Sequence, residues 1–383
     1  MNFELKGNQV QKEFIKLEKV NVQNFINLIK KEFALKDIID FRYKFIKENN
    51  FVLIPINKGY SMDIKQFLDA NNIVEYKILF RNAIPEFKFK TIEDILKTRL
   101  PKSLIKFIPK SFDMIGSIAI VEFPGLDNLS QEEGTSLKTA VGKAITIVNS
   151  SIKSVYEQAS QVKGEYRLRK LQFLYGVDDP ETIHKENHAI FKINVKKTYF
   201  TPRLVTERNR ISSLEINKNE TIVDMFAGVG PFSIQIAKKK DVIIHSFDIN
   251  LDAINYLKTN IKLNHVEDKV FPYNTDVKKL LIPDNKYGTL LKDQIDRVIM
   301  NLPERSLEFL DVACYLIKRE GGIIHNYQFC MKPNPIRRGI NQFKEKLRQY
   351  NYQIERILYA KKVKSYSPSS DLISLDVKVI PKR

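Results

Sequence analysis

From about residue 195 the chain alternates short apolar runs with segments whose apolar residues recur every three or four positions. The runs predict strands over 221–225, 242–248, 269–274, 295–300, 321–327, 353–361 and 372–380. The periodic segments predict helices over 231–239, 251–264, 304–317 and 336–350. Such alternation predicts a mostly parallel sheet covered by helices on both faces. No helix separates the last two strands, which suits an antiparallel hairpin at the sheet edge. Upstream the pattern is less regular. Val22, Phe25, Ile26, Ile29, Phe33 and Leu35 predict a helix across 20–36, and 51–56 and 75–80 read as strands. Pro85 marks a connector over 81–89. Next come a strand at 115–123, a helix at 136–150, an apolar segment at 154–159 and strands at 166–176 and 188–196. The expected organisation is a small α+β binding module over 1–85, a second small α+β module over 90–190 and an α/β domain over 195–383. About 18 residues are expected to precede the first module, and 281–294 reads as an insertion.

Composition narrows the class. A chain of 383 residues, 43% hydrophobic and 10% aromatic, can fill two or three cores. No apolar run approaches the roughly 18 residues of a membrane span. The first residues lack a signal peptide's apolar core. Cys314 and Cys330 make neither a disulfide framework nor a zinc site. His184 and His188 share helical spacing but fall in a loop-like stretch, so no metal is expected. A cytoplasmic monomer is the expectation. Lys and Arg number 63 against 45 Asp and Glu, a net charge of +18. That excess points to a polyanion, nucleic acid first, against the plainer reading of a lysine-rich composition.

The chemistry begins at Asp224-Met225-Phe226-Ala227-Gly228-Val229-Gly230-Pro231-Phe232, between a predicted strand and a predicted helix. Gly228 and Gly230 allow close backbone approach to a ligand. The spacing departs from the dinucleotide fingerprint and resembles the first motif of methyltransferases that use S-adenosyl-L-methionine. Ligands of such sheets bind beyond the carboxyl ends of the strands. Asp248-Ile249 and Asp276 occupy two further strand ends. A carboxylate at Asp248 suits two ribose hydroxyls, and one at Asp276 suits an adenine amino group. Each also suits a plain helix cap. Met300-Asn301-Leu302-Pro303 ends the fourth strand, where an Asn oxygen and a backbone carbonyl can accept from the edge of a planar base. The asparagines of 251–264 read as caps and solvated positions.

Four further segments make the resemblance specific: Gly164-Glu165-Tyr166-Arg167, Tyr199-Phe200-Thr201-Pro202-Arg203-Leu204, Thr206-Glu207-Arg208-Asn209-Arg210 and Lys364-Ser365-Tyr366-Ser367-Pro368. With Asn301-Leu302-Pro303, the chain over about 110–383 resembles the archaeal and eukaryotic tRNA (guanine-37-N1)-methyltransferase family. Residues 20–80 are similar to its N-terminal module. The resemblance implies a Rossmann-like class I methyltransferase domain, S-adenosyl-L-methionine as cofactor and tRNA as partner. It makes Glu207 the base that removes the N1 proton and Arg167 the group that steadies charge on O6. Asn301 would orient the base edge and serve the cofactor. Arg208, Asp224, Met225, Phe226, Ala227, Gly228, Gly230, Asp248, Ile249 and Asp276 would hold the cofactor. Tyr199, Pro202, Arg203, Leu302, Pro303, Tyr366 and Pro368 would meet the substrate. The first module would read tRNA shape, and the second would contribute to the active site and RNA binding.

The chain also departs from that pattern. Lys commonly follows Asn-Leu-Pro in the family, and here Glu304-Arg305 follows, which puts one fine contact in doubt. Some archaeal members also methylate C7 of the tricyclic wyosine precursor, and the residues leave that open. The alternatives are the related aminocarboxypropyl transferase of wybutosine synthesis, against which Asn301-Leu302-Pro303 argues, and an RNA-binding protein on an inactive frame. A methyltransferase of ribosomal RNA or protein glutamine is disfavoured by the Arg167 and Glu207 segments.

Overall fold

Contacts divide the chain into two units, Met1–Ile95 and Leu96–Arg383. This computed structural model describes residues 10–32, 34–71, 73, 75–84, 91–97, 99–159 and 166–382. Gly164, Glu165, Pro85 and Phe33 lie outside the described residues.

The first unit comprises β1 (Val10–Glu18), α1 (Lys19–Glu32), α2 (Leu35–Ile38), β2 (Ile46–Glu48), β3 (Phe51–Pro55), α3 (Ser61–Ala70) and β4 (Tyr76–Ala83). Its sheet is antiparallel, in the order β2-β3-β1-β4. Alternating residues Ile15 and Leu17 of β1 and Val52 and Ile54 of β3 share a core with Phe25 and Ile29 of α1 and with Ile64 and Leu68 of α3. The expectation that about 18 residues precede this module is corrected. Val10–Glu18 is an inner strand, paired on both sides. Its charged Lys12, Glu13, Lys16 and Glu18 dilute the apolar alternation, so pattern alone misses it.

α4 (Ile92–Leu96) stands at the division, and α5 (Lys102–Ile105) follows. A second sheet holds β5 (Phe112–Ile115), β6 (Ile118–Val121), β7 (Ser154–Gln158) and β8 (Leu171–Gly176) in that order, with α6 (Gln131–Val148) between β6 and β7. The single strand expected at 115–123 is a hairpin turning at Gly116-Ser117. α6 starts five residues earlier than its apolar pattern, because Ser130 and Glu133 form a capping box. β9 (Glu181–Glu186) and β10 (Ala189–Asn194) form a separate hairpin. His184 is therefore on a strand, not in a loop, and its Nδ1 accepts from the Gly116 N–H.

α7 (Val205–Ser212) leads into the large α/β layer. That layer runs β11 (Thr221–Asp224), α8 (Pro231–Lys239), β12 (Ile243–Asp248), α9 (Leu251–Leu263), β13 (Val270–Asn274), α10 (Lys286–Leu291), β14 (Arg297–Met300), α11 (Leu310–Leu316), β15 (Gly322–Met331), α12 (Pro335–Arg348), β16 (Tyr352–Ser365) and β17 (Ser370–Pro381). The seven-stranded sheet has the order β13-β12-β11-β14-β15-β17-β16. Pairing is parallel from β13 to β15 and antiparallel at β17 and β16, so the sheet is mixed and its last hairpin lies at the edge as expected. Strand order reverses at β11, opening a crevice between β11 and β14 beyond their carboxyl ends. The 281–294 stretch contains α10, and its Leu291 is buried in the core with Leu280.

The asparagines of α9 and of its C-cap, Asn264, do more than cap and solvate. Asn260 and Asn264 are buried, and their side chains pair with the backbone of Lys192 and Ile190 on β10. They stitch the β9–β10 hairpin to the large layer and satisfy edge groups that would otherwise be orphaned.

Candidate active site

β11 lies between β12 and β14 and ends at Asp224, deep in the layer. Asp224 is 1% exposed. Its Oδ2 accepts from Ser233 Oγ of α8 at 2.8 Å, and its Oδ1 has no partner among the described residues. Burial pushes its carboxyl up to about 7. The chain then turns through Gly228 (φ 54°) and Gly230 (φ 89°) into α8. A Cβ on Gly230 would lie 2.3 Å from Leu257 Cδ1 of α9, a side-chain end that would have to move, and the positive φ itself favours glycine. A Cβ on Gly228 would meet nothing nearer than the Tyr199 carbonyl at 3.7 Å. Gly228 N–H donates to Asp248 Oδ2 and Asn250 N–H to Oδ1, both at 2.8 Å. Burial raises the Asp248 carboxyl, and these two bonds oppose the rise.

A cavity of about 480 Å³ opens beyond the strand ends. Its wall includes Met225, Phe226, Ala227, Gly228, Asp248, Ile249, Asp276, Asn301 and Leu302, with Arg167, Tyr199 and Arg208 from upstream. Asp224, Gly230, Glu207, Pro202, Arg203, Pro303, Tyr366 and Pro368 lie outside that wall. The wall also includes Phe309, which meets Phe226 edge-on at 4.9 Å, and Lys278, neither marked by any sequence motif. Arg305, the shifted basic position after Asn-Leu-Pro, lines it as well and adds positive charge. Asp276 Oδ1 accepts from the Lys278 N–H at 2.9 Å, which is the capping role.

At the end of β14, Asn301 Oδ1 is buried without a hydrogen-bond partner among the described residues. The Pro303 carbonyl, by contrast, accepts from Phe329 N–H at 3.1 Å. Asn301 Oδ1 is thus the acceptor this turn leaves open. Phe329 also stacks on Tyr366 with ring centroids 3.9 Å apart, which brings the Tyr366 loop to the same turn. Lys332 Nζ donates to the Pro368 carbonyl at 3.0 Å and holds that loop.

Arg167 stands in a tight turn at φ 54°. Its guanidinium lies over the Tyr199 ring at 5.0 Å and reaches Glu304 Oε1 at 3.3 Å. The departure at Glu304 therefore has a structural counterpart: it faces Arg167. Arg203 Nε donates to Asp113 at 2.6 Å, away from the cavity.

α7 follows a short turn over Pro202–Leu204, where Thr201 Oγ1 accepts from Arg203 N–H. Arg208 is 2% exposed and donates to both Glu186 oxygens at 2.5 Å and to the Thr201 carbonyl at 3.0 Å. Its role in the structure is to brace the wall. Glu207 is buried on the same helix. Its Oε2 accepts from Arg210 Nε and Nη2 and from the Tyr327 hydroxyl at 3.1 Å. Arg210 also donates to Asp376 on β17 at 2.6 Å. Burial alone would raise the Asp376 carboxyl, but His325 and Arg210 beside it hold it down at about 2. Among the described residues no group of three or more His, Cys, Asp or Glu could hold a metal ion, and no helix is long and apolar enough to cross a membrane.

Residues 182–355 match the TRM5/TYW2 methyltransferase domain, and residues 92–179 match the TYW2 N-terminal domain. The tRNA (guanine(37)-N(1))-methyltransferase Trm5b of Pyrococcus abyssi is 36% identical over 341 residues, covering 89% of this chain and 92% of the relative. A solved complex of aTrm5 with tRNALeu is 29% identical, with a TM-score of 0.67, covering 95% of this chain and 99% of that one. The tRNA(Phe) (4-demethylwyosine(37)-C(7)) aminocarboxypropyltransferase of Pyrococcus horikoshii is 29% identical, covering 75% of this chain and 96% of the relative.

Proposed function

The chain belongs to the TRM5/TYW2 methyltransferase family, and from that premise we propose that it transfers a methyl group from S-adenosyl-L-methionine to N1 of guanine 37 in tRNA. The observation that carries this reading is Asn301 Oδ1, an unpartnered buried acceptor on the cavity wall, where it can take an N–H from the edge of a planar base. The wall also fits the cofactor. Asp248 and Asp276 offer carboxylate oxygens, and the open space at Gly228 allows a ligand to approach the backbone. Arg208, Met225, Phe226, Ala227 and Ile249 supply the remainder of that surface, with Asp224 and Gly230 shaping the turn. When bound, S-adenosyl-L-methionine supplies a methyl group on a positively charged sulfur.

The protein's task is then to place guanine and to move one proton. N1 carries a proton at neutral pH and must lose it as the methyl arrives. Glu207 is the carboxylate that takes it, on the helix whose Arg208 forms part of the cavity wall, just after Leu204 of the preceding turn, which also lines it. Loss of that proton places negative charge on O6. Arg167, held over Tyr199 on the cavity wall, supplies the guanidinium that stabilises it. Asn301 fixes the base edge, with Leu302 and Pro303 setting its direction and Tyr199, Pro202, Arg203, Tyr366 and Pro368 guiding the nucleotide. A guanine in an anticodon loop must be swung out to enter, at a cost of a few kcal/mol. The net charge of +18 supports phosphate contacts that offset it. On this reading 1–85 reads tRNA shape, 90–190 contributes to RNA binding, and the protein works as a cytoplasmic monomer.

A second reading, aminocarboxypropyl transfer, draws on the match of 92–179 to the TYW2 N-terminal domain. Against it stands the longer match, at higher identity, to the guanine-N1 methyltransferase. Methylation of C7 in the wyosine precursor would use the same pocket, and a modified-tRNA substrate tests it. The main test is methyl transfer to unmodified tRNA transcripts bearing G37 or A37. Methylation of the G37 transcript alone is expected, and equal labelling of both would overturn the reading.

A further inference from the structure

A second concavity lies beside the cavity, entirely within the Leu96–Arg383 unit. It encloses about 350 Å³, and its lining includes Lys106, Phe107, Lys110, Phe112, Arg169 and Arg203. Tyr199 connects the two spaces. Its ring lines the cavity and faces two guanidinium groups, Arg167 at 5.0 Å on the cavity wall and Arg169 at 6.0 Å on the groove wall. Tyr199 thus stands between a guanidinium of the cavity wall and one of the groove wall, so the two spaces are neighbours.

The groove is charged for a phosphate and lined for a base. Asp113, 6% exposed, is gripped by Arg203 Nε at 2.6 Å and by Arg169 Nη2 at 3.0 Å. Burial and the nearby Arg203, Arg169 and Arg167 lower the pKa of the Lys364 ammonium beside the groove, and Asp113 opposes them. Four cations of the lining, Lys106, Lys110, Arg169 and Arg203, outnumber its two carboxylates, Asp113 and Glu122, and Arg169 Nε is buried with no partner among the described residues. Phe107 is half-buried, with Lys106 Nζ over its ring at 4.9 Å. An aromatic face beside cations is the arrangement that holds an unstacked base together with its backbone.

We propose that this groove takes the nucleotide next to the reacting guanine, its base against Phe107 and its phosphate between Arg169 and Arg203. The proposal rests on the tRNA reading above. It makes target entry a two-nucleotide event, so the protein would read a feature of the loop beyond the base that it modifies.

The test measures affinity for full tRNA transcripts that are intact or abasic at position 36 or at position 38, with wild type, Phe107→Ala and Phe107→Tyr. Stacking of one base on an aromatic ring predicts about tenfold weaker binding of wild type to one of the abasic transcripts. Phe107→Ala should bind intact tRNA about tenfold less tightly and show no further loss with that abasic transcript. Phe107→Tyr should restore both affinity and discrimination, which a mere folding defect would not. If wild type binds all three transcripts equally, or if the losses multiply, the groove does not hold a flanking base. Methylation at position 37, scored in the same reactions, reports separately on the proposed function.

Discussion

Arg210 donates two hydrogen bonds to one oxygen of Glu207, from Nε at 3.0 Å and from Nη2 at 2.9 Å. The same guanidinium donates to Asp376 at 2.6 Å and to Ser374 Oγ at 3.0 Å and lies over the Tyr359 ring at 3.8 Å. Its planar fork is fully used, so Glu207 is held in one orientation. The first prediction concerns that carboxylate. Glu207→Gln keeps the size but cannot take a proton. Single-turnover methylation should fall by about two to four orders of magnitude, while cofactor affinity measured by calorimetry stays within about twofold of wild type. Full activity would remove Glu207 from the mechanism.

Asp376 should matter through stability. Its carboxyl is held at about 2, below the ordinary 3.8 of the unfolded chain. Its stabilisation is therefore present above pH 4 and lost as pH falls toward 2. That contribution is of order 2 kcal/mol. Asp376→Asn leaves Arg210 with one buried anion fewer and should cost about 3 kcal/mol or more at pH 7. Urea unfolding of both proteins at pH 7 and pH 3 checks this, and the gap should narrow at the lower pH.

Asp224 should behave in the opposite sense. Its carboxyl is raised by burial to about 7, so the fold favours the protonated form. Stability from this group is full below about pH 4 and declines as pH rises toward 7. Ionising it inside the fold costs on the order of 4 kcal/mol. Asp224→Asn retains an acceptor for Ser233 Oγ and removes the charge. Its melting temperature relative to wild type should rise between pH 5 and pH 8, and a constant difference would show that Asp224 is not destabilised by ionisation.

The two glycines of the turn should separate folding from binding. Gly230→Ala places a Cβ 2.3 Å from Leu257 Cδ1, a buried side-chain end that must shift, and adds left-handed strain, so it should be destabilised by more than Gly228→Ala. Gly228→Ala meets open cavity and should cost only about 1–2 kcal/mol of backbone strain. Its methyl group enters the space a cofactor would use, so it should fold and bind S-adenosyl-L-methionine at least tenfold more weakly. Thermal melting and calorimetry on the two variants check the contrast.

The large sheet was legible because its strands are bare apolar runs between strongly periodic helices, and each of the seven was placed within a few residues. The helix that carries Glu207 goes unpredicted, because Val205–Ser212 is mostly polar and shows little apolar periodicity. β9 and β1 were missed for a related reason, their apolar alternation being broken by charged residues. At the site, side-chain type and strand-end position were enough to mark Asp248, Asp276 and Asn301. They could not show that Arg208 is consumed by Glu186, that Arg203 turns to Asp113, or that Glu304 faces Arg167. Those are pairings between segments 22, 90 and 137 residues apart, and only the fold brings them together.

The central claim is the atom that receives the methyl group. Wild-type protein incubated with S-adenosyl-L-methionine and an unmodified G37 transcript should yield, after digestion and nucleoside mass spectrometry, 1-methylguanosine derived from position 37. Methylation at another atom, or an aminocarboxypropyl adduct in its place, would contradict the account.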